Sequence, residues 1–321
     1  MKKTRIFFIA LLLVVLSAAV YLGYATKPEA PQLPGVYTDT SLVSSERQRH
    51  YKIYIPSTLT AGSPLLMVLH GSMQNIDEIR VASGYEFERL AEHHGFLLIY
   101  PQGYKNNWND CRKTASYPAK AENIDDLSFL QALIEKAESE YHIDTQQVFI
   151  AGWSNGGHMG FKAALERPEM FSAIAAISAN LPTAEHSDCH AKGKPMSVLI
   201  MNGTEDPINP YQGGRVTLFG FGDRGQVLSS IQSAEYFADL AGHTTESMTQ
   251  QVLTQGLQHK QGSVVVKNWQ ATGKAEISLV TLQGGGHLIP QGFYRAPRLL
   301  GNNTPEFNGP EFIWQFLERQ H

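Results

Sequence analysis

The chain has 321 residues, 42% of them apolar and 17% charged, with 28 Gly and 16 Pro scattered along it. That is enough apolar material for a substantial core, and it excludes disordered, collagen-like and coiled-coil classes. With 26 Lys+Arg against 30 Asp+Glu the net charge is −4, and no basic run lies outside the extreme N-terminus, so no nucleic-acid partner is expected.

Lys2, Lys3 and Arg5 precede an apolar run over residues 6–22 that is broken by Ser17, the charged and apolar regions of an export signal. Small residues at Gly23-Tyr24-Ala25 predict cleavage before Thr26. The run also reaches the short limit of a membrane span, so the alternative is an uncleaved anchor with the body of the chain outside the cytoplasm. No Cys sits near the end of the run, so lipid attachment through cysteine is not expected. Cleavage removes three cations and no anion, taking the net charge from −4 to −7. Residues 26–35, with Pro28, Pro31 and Pro34, read as an extended linker, and residues 36–321 as one domain. A secreted or periplasmic setting favours a disulfide between Cys111 and Cys189 over two buried thiols. His186, Asp188, Cys189 and His190 resemble a metal cluster only locally; no second ligand set stands at suitable spacing, so no metal is expected.

Along the body, alternation at Tyr51, Ile53 and Ile55 predicts a strand with one buried face. Short apolar runs at 65–69, 96–100, 148–151, 173–177 and 198–201 predict central parallel strands. Helical patterns fall between them: residues 87–93, then Leu127, Leu130, Ile134, Ala137 and Tyr141 at 3,4,3,4 spacing, opened by Asn123 with Asp125 and Asp126 in the first turn. Further helices are predicted over 229–240 and 311–319, and a strand over 276–282. Strand and helix in this alternation make an α/β domain with a mostly parallel sheet covered on both faces.

Gly152-Trp153-Ser154-Asn155-Gly156 is a G-x-S-x-G pattern between the strand at 148–151 and a helical stretch at 157–166. A serine hydroxyl becomes a useful nucleophile only when it is raised clear of the sheet and given a base. Flanking glycines permit the tight turn, and the helix N-terminus aims free N–H groups at a developing oxyanion. The partners should follow in the order acid, then histidine. Asp206, just past the strand at 198–201, is favoured over its neighbour Glu205. His287 follows Gly284-Gly285-Gly286, a loop expected to be flexible. His243, His259 and His321 read as ordinary surface residues. His70-Gly71-Ser72 ends the strand at 65–69, so the amides of Ser72 and Asn155 are the expected oxyanion donors, with His70 in a structural part.

The ordered set LHGSMQN, YPQGY with NNWNDC, NIDDLSFLQALI, VFIAGWSNGGHM, NGTEDPINPYQGG, GQVLSS and GGGH resembles the secreted polyhydroxybutyrate depolymerase and feruloyl esterase family. This is the LpqC-type branch, related to carbohydrate esterase family 1. The resemblance spans Tyr51 to Phe316. It implies an α/β-hydrolase fold with Ser154 as nucleophile, His287 as base and Asp206 as its orienting acid, and it adds support for Ser72 and Asn155. Two positions depart from the family pattern. Leu288-Ile289-Pro290-Gln291-Gly292 stands where Trp-Pro-Gly is usual, which is expected to remove an aromatic from the acyl-pocket rim. Ser72 replaces a frequent cysteine, which leaves a backbone donor intact.

Tyr104, Trp108, Phe219, Phe221 and Phe293 are the candidates for an aromatic substrate wall. The resulting expectation is an exported serine esterase, needing no cofactor, that cleaves short hydroxyalkanoate or hydroxycinnamate esters. Without an appended binding module, soluble esters should precede crystalline polyester, and short acyl groups should precede long lipids. A peptidase or acyltransferase on the same three residues, and a catalytically silent binding module, are the alternatives; the filled triad positions disfavour the last.

Overall fold

The computed structural model describes residues 2–253 and 263–320. Helix α1 (Lys2–Gly23) carries the N-terminal apolar run, and Leu12, Val14 and Val20 on it are exposed. Among the described residues no helix is long and apolar enough to cross a membrane. The 26–35 segment is anchored at both ends: Thr26 and Arg295 exchange backbone hydrogen bonds of 3.1 and 3.2 Å, and the Gly35 amide donates to Tyr54 Oη at 3.2 Å.

β1 (Val36–Ser44) and β2 (Arg47–Ile55) form a hairpin across Ser45 and Glu46, both at positive φ, which suits a two-residue turn. β3 (Leu65–Leu69), β4 (Leu97–Pro101), β5 (Val148–Trp153), β6 (Ala173–Ile177) and β7 (Ser197–Gly203) follow, all fully buried. After the short hairpin strands β8 (Gly214–Arg215) and β9 (Gln226–Val227) come β10 (Met248–Leu253), β11 (Val264–Trp269) and β12 (Ile277–Leu282). The main sheet has ten strands in the order β1-β2-β4-β3-β5-β6-β7-β12-β11-β10. Its centre, from β4 to β12, is parallel, while β1, β2, β10 and β11 add antiparallel edges that the apolar runs do not announce.

The pleat divides the core. Leu65, Met67 and Leu69 of β3 face one side, packed with α5 (Asp126–Tyr141), α6 (Asn155–Glu166) and α7 (Ser230–Leu240) through residues such as Leu130, Met159 and Phe237. Leu66 and Val68 face the other, with α2 (Ile76–Ala82), α3 (Glu86–His94) and α8 (Gly309–Leu317) through Ile79, Phe87 and Trp314. This is the period-2 pattern of a sheet covered on both faces. A short α4 (Pro118–Ala121) lies before α5.

The start of α5 corrects the sequence expectation. Asp125 is its N-cap, accepting the Ser128 amide at 3.0 Å. Asn123 instead sits at φ 46° and accepts from Asn109 Nδ2 at 3.1 Å. An acid one residue before the helix satisfies an orphan amide directly, so it displaces the more distant asparagine.

Candidate active site

β5 runs on through Gly152 and Trp153, and α6 begins at Asn155, so the turn between them is Ser154 alone. That is two residues tighter at each element than the sequence suggested. Ser154 stands at φ 55° and ψ −116°, outside the usual region for a side-chain-bearing residue. A Cβ on Gly152 would strike the Gly156 carbonyl, and one on Gly156 would strike the carbonyls of Leu69 and His70. The two motif glycines thus let α6 start directly against the ends of β3 and β5. The Ser154 amide donates to Ile177 O at 2.8 Å and its carbonyl accepts from the His158 amide at 2.9 Å, which holds the strained turn.

Asp206 leaves the C-terminal end of β7. One carboxylate oxygen, Oδ1, accepts the amides of Ile208 and Asn209, each at 2.8 Å, and Oδ2 lies 2.7 Å from His287 Nδ1. Two backbone donors fix the carboxylate plane, so the imidazole is oriented by a rigid partner. Glu205 points elsewhere, accepting from Asn302 Nδ2 at 3.1 Å.

The glycine loop before His287 is held rather than flexible. Gly284 N–H donates to Thr204 Oγ1 (2.8 Å), Gly286 N–H to Asn302 O (3.0 Å) and His287 N–H to Leu300 O (2.6 Å). The 300–302 segment lies alongside and supplies acceptors that a free loop would seek from water. His243 is buried, not on the surface: Nε2 faces Ala275 O at 2.8 Å and Nδ1 faces Ser247 Oγ at 3.2 Å. His259 and His321 lie outside the described residues.

Ser72, Ser154 and His287 line one cavity of about 120 Å³, walled mainly by Trp153, Ile208, Leu218 and Leu300. Among the described residues the Ser72 and Asn155 amides donate to no protein acceptor. Asn155 N–H is a first-turn helix donor, and Ser72 N–H sits in a loop pinned by Gln74 Oε1 on Gly71 N–H and by Asn106 O on Met73 N–H. Two free amides beside a serine hydroxyl can receive negative charge on an oxygen.

The aromatic candidates fare differently. Trp108 is fully buried, its Nε1 donating to His70 O at 3.0 Å, so it packs beneath the site and offers no face to a ligand. Tyr104 hydrogen-bonds Glu122 at 2.8 Å, away from the cavity. Phe293 stacks under Arg89 and borders a separate cavity beside Tyr21 and Thr26. Phe219 is partly buried against Ile208 and Val216, while Phe221 is 80% exposed at the hairpin tip. Leu288 is buried and does not line the cavity, so the missing aromatic leaves no gap in the rim. The residue beside the serine, Trp153, supplies the aromatic wall instead, its ring 5.7 Å from that of His287. Trp153 was readable as a wall from its place in the motif; Arg224, which also lines the cavity, had no local signal.

Below the elbow, the Asn155 side chain reaches Asp110 Oδ2 at 2.6 Å and Tyr117 Oη at 3.1 Å, and Arg112 pairs with Asp110 at 2.5 Å. The adjacent Cys111 is bridged to Cys189. That takes Cys189 out of the local His and Asp cluster, and Asp188 pairs with Lys120 at 2.6 Å. His70 is structural: Nδ1 faces Gly71 O at 2.7 Å, Nε2 accepts the Gly103 amide at 2.9 Å, and burial pushes the imidazole down to about 4. His158 is held well below the ordinary imidazole range by burial and then by the Arg112 charge.

A family model described as esterase PHB depolymerase matches residues 49–215, just over half of the sequence. The chain belongs to the PHB depolymerase esterase family. The NocK protein of Nocardia uniformis subsp. tsuyamanensis, an esterase by name, is 24% identical over 298 residues, covering 89% of this chain and 84% of its own. Feruloyl esterase C of Emericella nidulans is 27% identical over 216 residues, 64% of this chain and 73% of its own. Among solved structures, acetyl xylan esterase from Aspergillus awamori superposes with a TM-score of 0.57 at 15% identity, covering 88% of this chain and 99% of that one. This PHB depolymerase family esterase therefore has the α/β-hydrolase fold and is a carboxylic ester hydrolase.

Proposed function

We propose that this esterase works through an acyl-enzyme on Ser154. His287 Nε2 takes the Ser154 proton as the hydroxyl oxygen attacks the ester carbonyl. Asp206 holds Nδ1 protonated and stabilises the imidazolium, and the Ser72 and Asn155 amides receive the oxyanion. The imidazolium then protonates the departing alcohol, and water repeats the sequence on the acyl-enzyme. The observation that carries this reading is the 2.7 Å contact of Asp206 Oδ2 with His287, on an imidazole that shares its cavity with the strained Ser154.

The substrates in this reading are short hydroxyalkanoate or hydroxycinnamate esters. A cavity of about 120 Å³ encloses a short acyl group, well under the ~300–1,000 Å³ of sites that bury larger ligands. The catalytic unit is one domain over residues 36–321, outside the cytoplasm. Export is supported by the charged and apolar N-terminal regions and by the Cys111–Cys189 bridge. The test is kcat/KM for butyrate, palmitate, ferulate and hydroxybutyrate-dimer esters, with fluorophosphonate labelling followed by peptide mapping. Labelling at Ser154 with butyrate or hydroxybutyrate ahead of palmitate is expected. Labelling elsewhere, or palmitate preferred by about tenfold, overturns it.

A further inference from the structure

The cavity over Ser154 contains a cation that has no counter-ion among the described residues. Arg224 lies half-buried at the base of the β8–β9 hairpin, and its Nη1 donates to Ser72 Oγ at 2.8 Å. A guanidinium has five N–H donors, and here one of them meets a neutral hydroxyl. The carboxylates nearby are committed elsewhere. Asp223, the residue before it in the chain, turns to Arg215 at 3.6 Å and accepts the Gly225 amide at 2.9 Å. Asp110, deeper in the protein, is occupied by Arg112, Tyr117 and Asn155. Among the described residues Arg224 forms no ion pair, and both burial and the charge of Arg112 act against its cationic form. A planar donor fork kept under those conditions, at the mouth of a catalytic cavity, matches a planar anion.

We propose that Arg224 selects esters bearing a free carboxylate, which it grips through its remaining N–H donors while the ester carbonyl lies over Ser154. This rests on the reading of Ser154 as nucleophile and sharpens its substrate class. A carboxylate can reach Arg224 from the acyl side, as in a half-ester of a dicarboxylic acid, or from the alcohol side, as in an acylated hydroxy acid. The second is the chemistry of the free end of a hydroxyalkanoate oligomer; a methyl hydroxycinnamate has no such group.

The test uses the full chain and two matched substrate pairs at neutral pH. Ethyl hydrogen succinate against ethyl valerate places the charge on the acyl side, and 3-butyryloxybutyrate against its amide places it on the alcohol side. The wild type should favour the anion in one pair by about thirtyfold in kcat/KM, ~2 kcal/mol, and the responding pair identifies the side. In Arg224→Gln that ratio should fall to near parity; in Arg224→Lys, which keeps the charge without the fork, it should fall only in part. Because the readout is a ratio within one protein, a general loss of activity does not imitate it. Parity in both pairs for the wild type overturns the inference while leaving a Ser154 esterase standing, and so does a Gln variant with an unchanged ratio. A wild type that cleaves no ester and is not labelled at Ser154 overturns the parent reading and this one with it.

Discussion

The Asn155 side chain holds the main chain of Trp108 from both sides, Oδ1 accepting its amide at 2.8 Å and Nδ2 donating to its carbonyl at 3.1 Å. The first residue of α6 is thereby tied to the loop that carries Asp110 and Cys111, 45 residues before it in the case of Asp110. Among the described residues the backbone amide of Asn155 is a first-turn donor without a protein acceptor, while its side chain builds the floor beneath the elbow.

Asn155→Ala separates the two parts. The backbone donor survives, but the Trp108 amide and an Asp110 oxygen lose a buried partner, which should lower stability by about 3 kcal/mol. Denaturant titration checks the first effect and kcat the second, since a floor that has shifted should misplace Ser154. A stability loss below about 1 kcal/mol would mean that the clamp is not holding the loop.

Ser154 should trade stability for activity. Its φ of 55° is strained for any residue with a Cβ, so Ser154→Gly should raise stability by about 1 kcal/mol, within the range stored by such outliers. Ser154→Ala keeps the strain and should leave stability nearly unchanged. Both should lower kcat by about 10⁴-fold to 10⁶-fold. Thermal or chemical melts alongside ester turnover test this; a Gly variant no more stable than the Ala variant would show that the turn is relaxed.

How much of this was legible in the sequence depended on how local each cause is. The elbow was visible because strand, glycines, serine and helix are contiguous, and Asp206 and His287 because each follows a buried strand that ends at the same sheet edge. Of the antiparallel edge strands only β2 was visible, through the alternation at Tyr51, Ile53 and Ile55; β1, β10 and β11 were not. β10 is mostly polar and exposed, so nothing in its composition separates it from a loop; it exists because β11 offers it a register. Trp108, a candidate for the substrate wall, is instead buried because His70 and Asn155, distant in sequence, satisfy its polar groups. The place of Arg224 follows from how the β8–β9 hairpin folds over Ser72, which no local pattern records.

Acid should weaken the fold through buried histidines. His70 is held near 4 in the folded protein against 6.5 ordinarily, by burial, and the His158 shift has the same direction. Between those values the unfolded chain binds more protons, so the contribution is fully present above pH 6.5 and is lost as the pH falls towards 4. His70 alone should account for about 3 kcal/mol. Denaturation midpoints measured down that window should fall, and His70→Gln should flatten the decline. A midpoint that stays constant through the window would show that neither imidazole is buried neutral.

The bridge between Cys111 and Cys189 should stabilise both the fold and the catalytic floor. It closes a span of 78 residues, which in the chain-entropy account corresponds to about 4.5 kcal/mol taken from the unfolded state. Cys111 is fully buried and stands between Asp110 and Arg112, whose ion pair supports Asn155. Losing the bridge should therefore reduce kcat as well as stability, in contrast to a crosslink at a remote surface. The purified protein, digested without reduction, should yield one Cys111–Cys189 peptide pair by mass spectrometry. Replacing both cysteines with serine should lower the unfolding free energy by about 2–5 kcal/mol and lower turnover of a short ester at temperatures where the variant remains folded. Two thiols open to alkylation in the native protein would remove the bridge, and a variant that loses stability but keeps full turnover would confine its role to the fold.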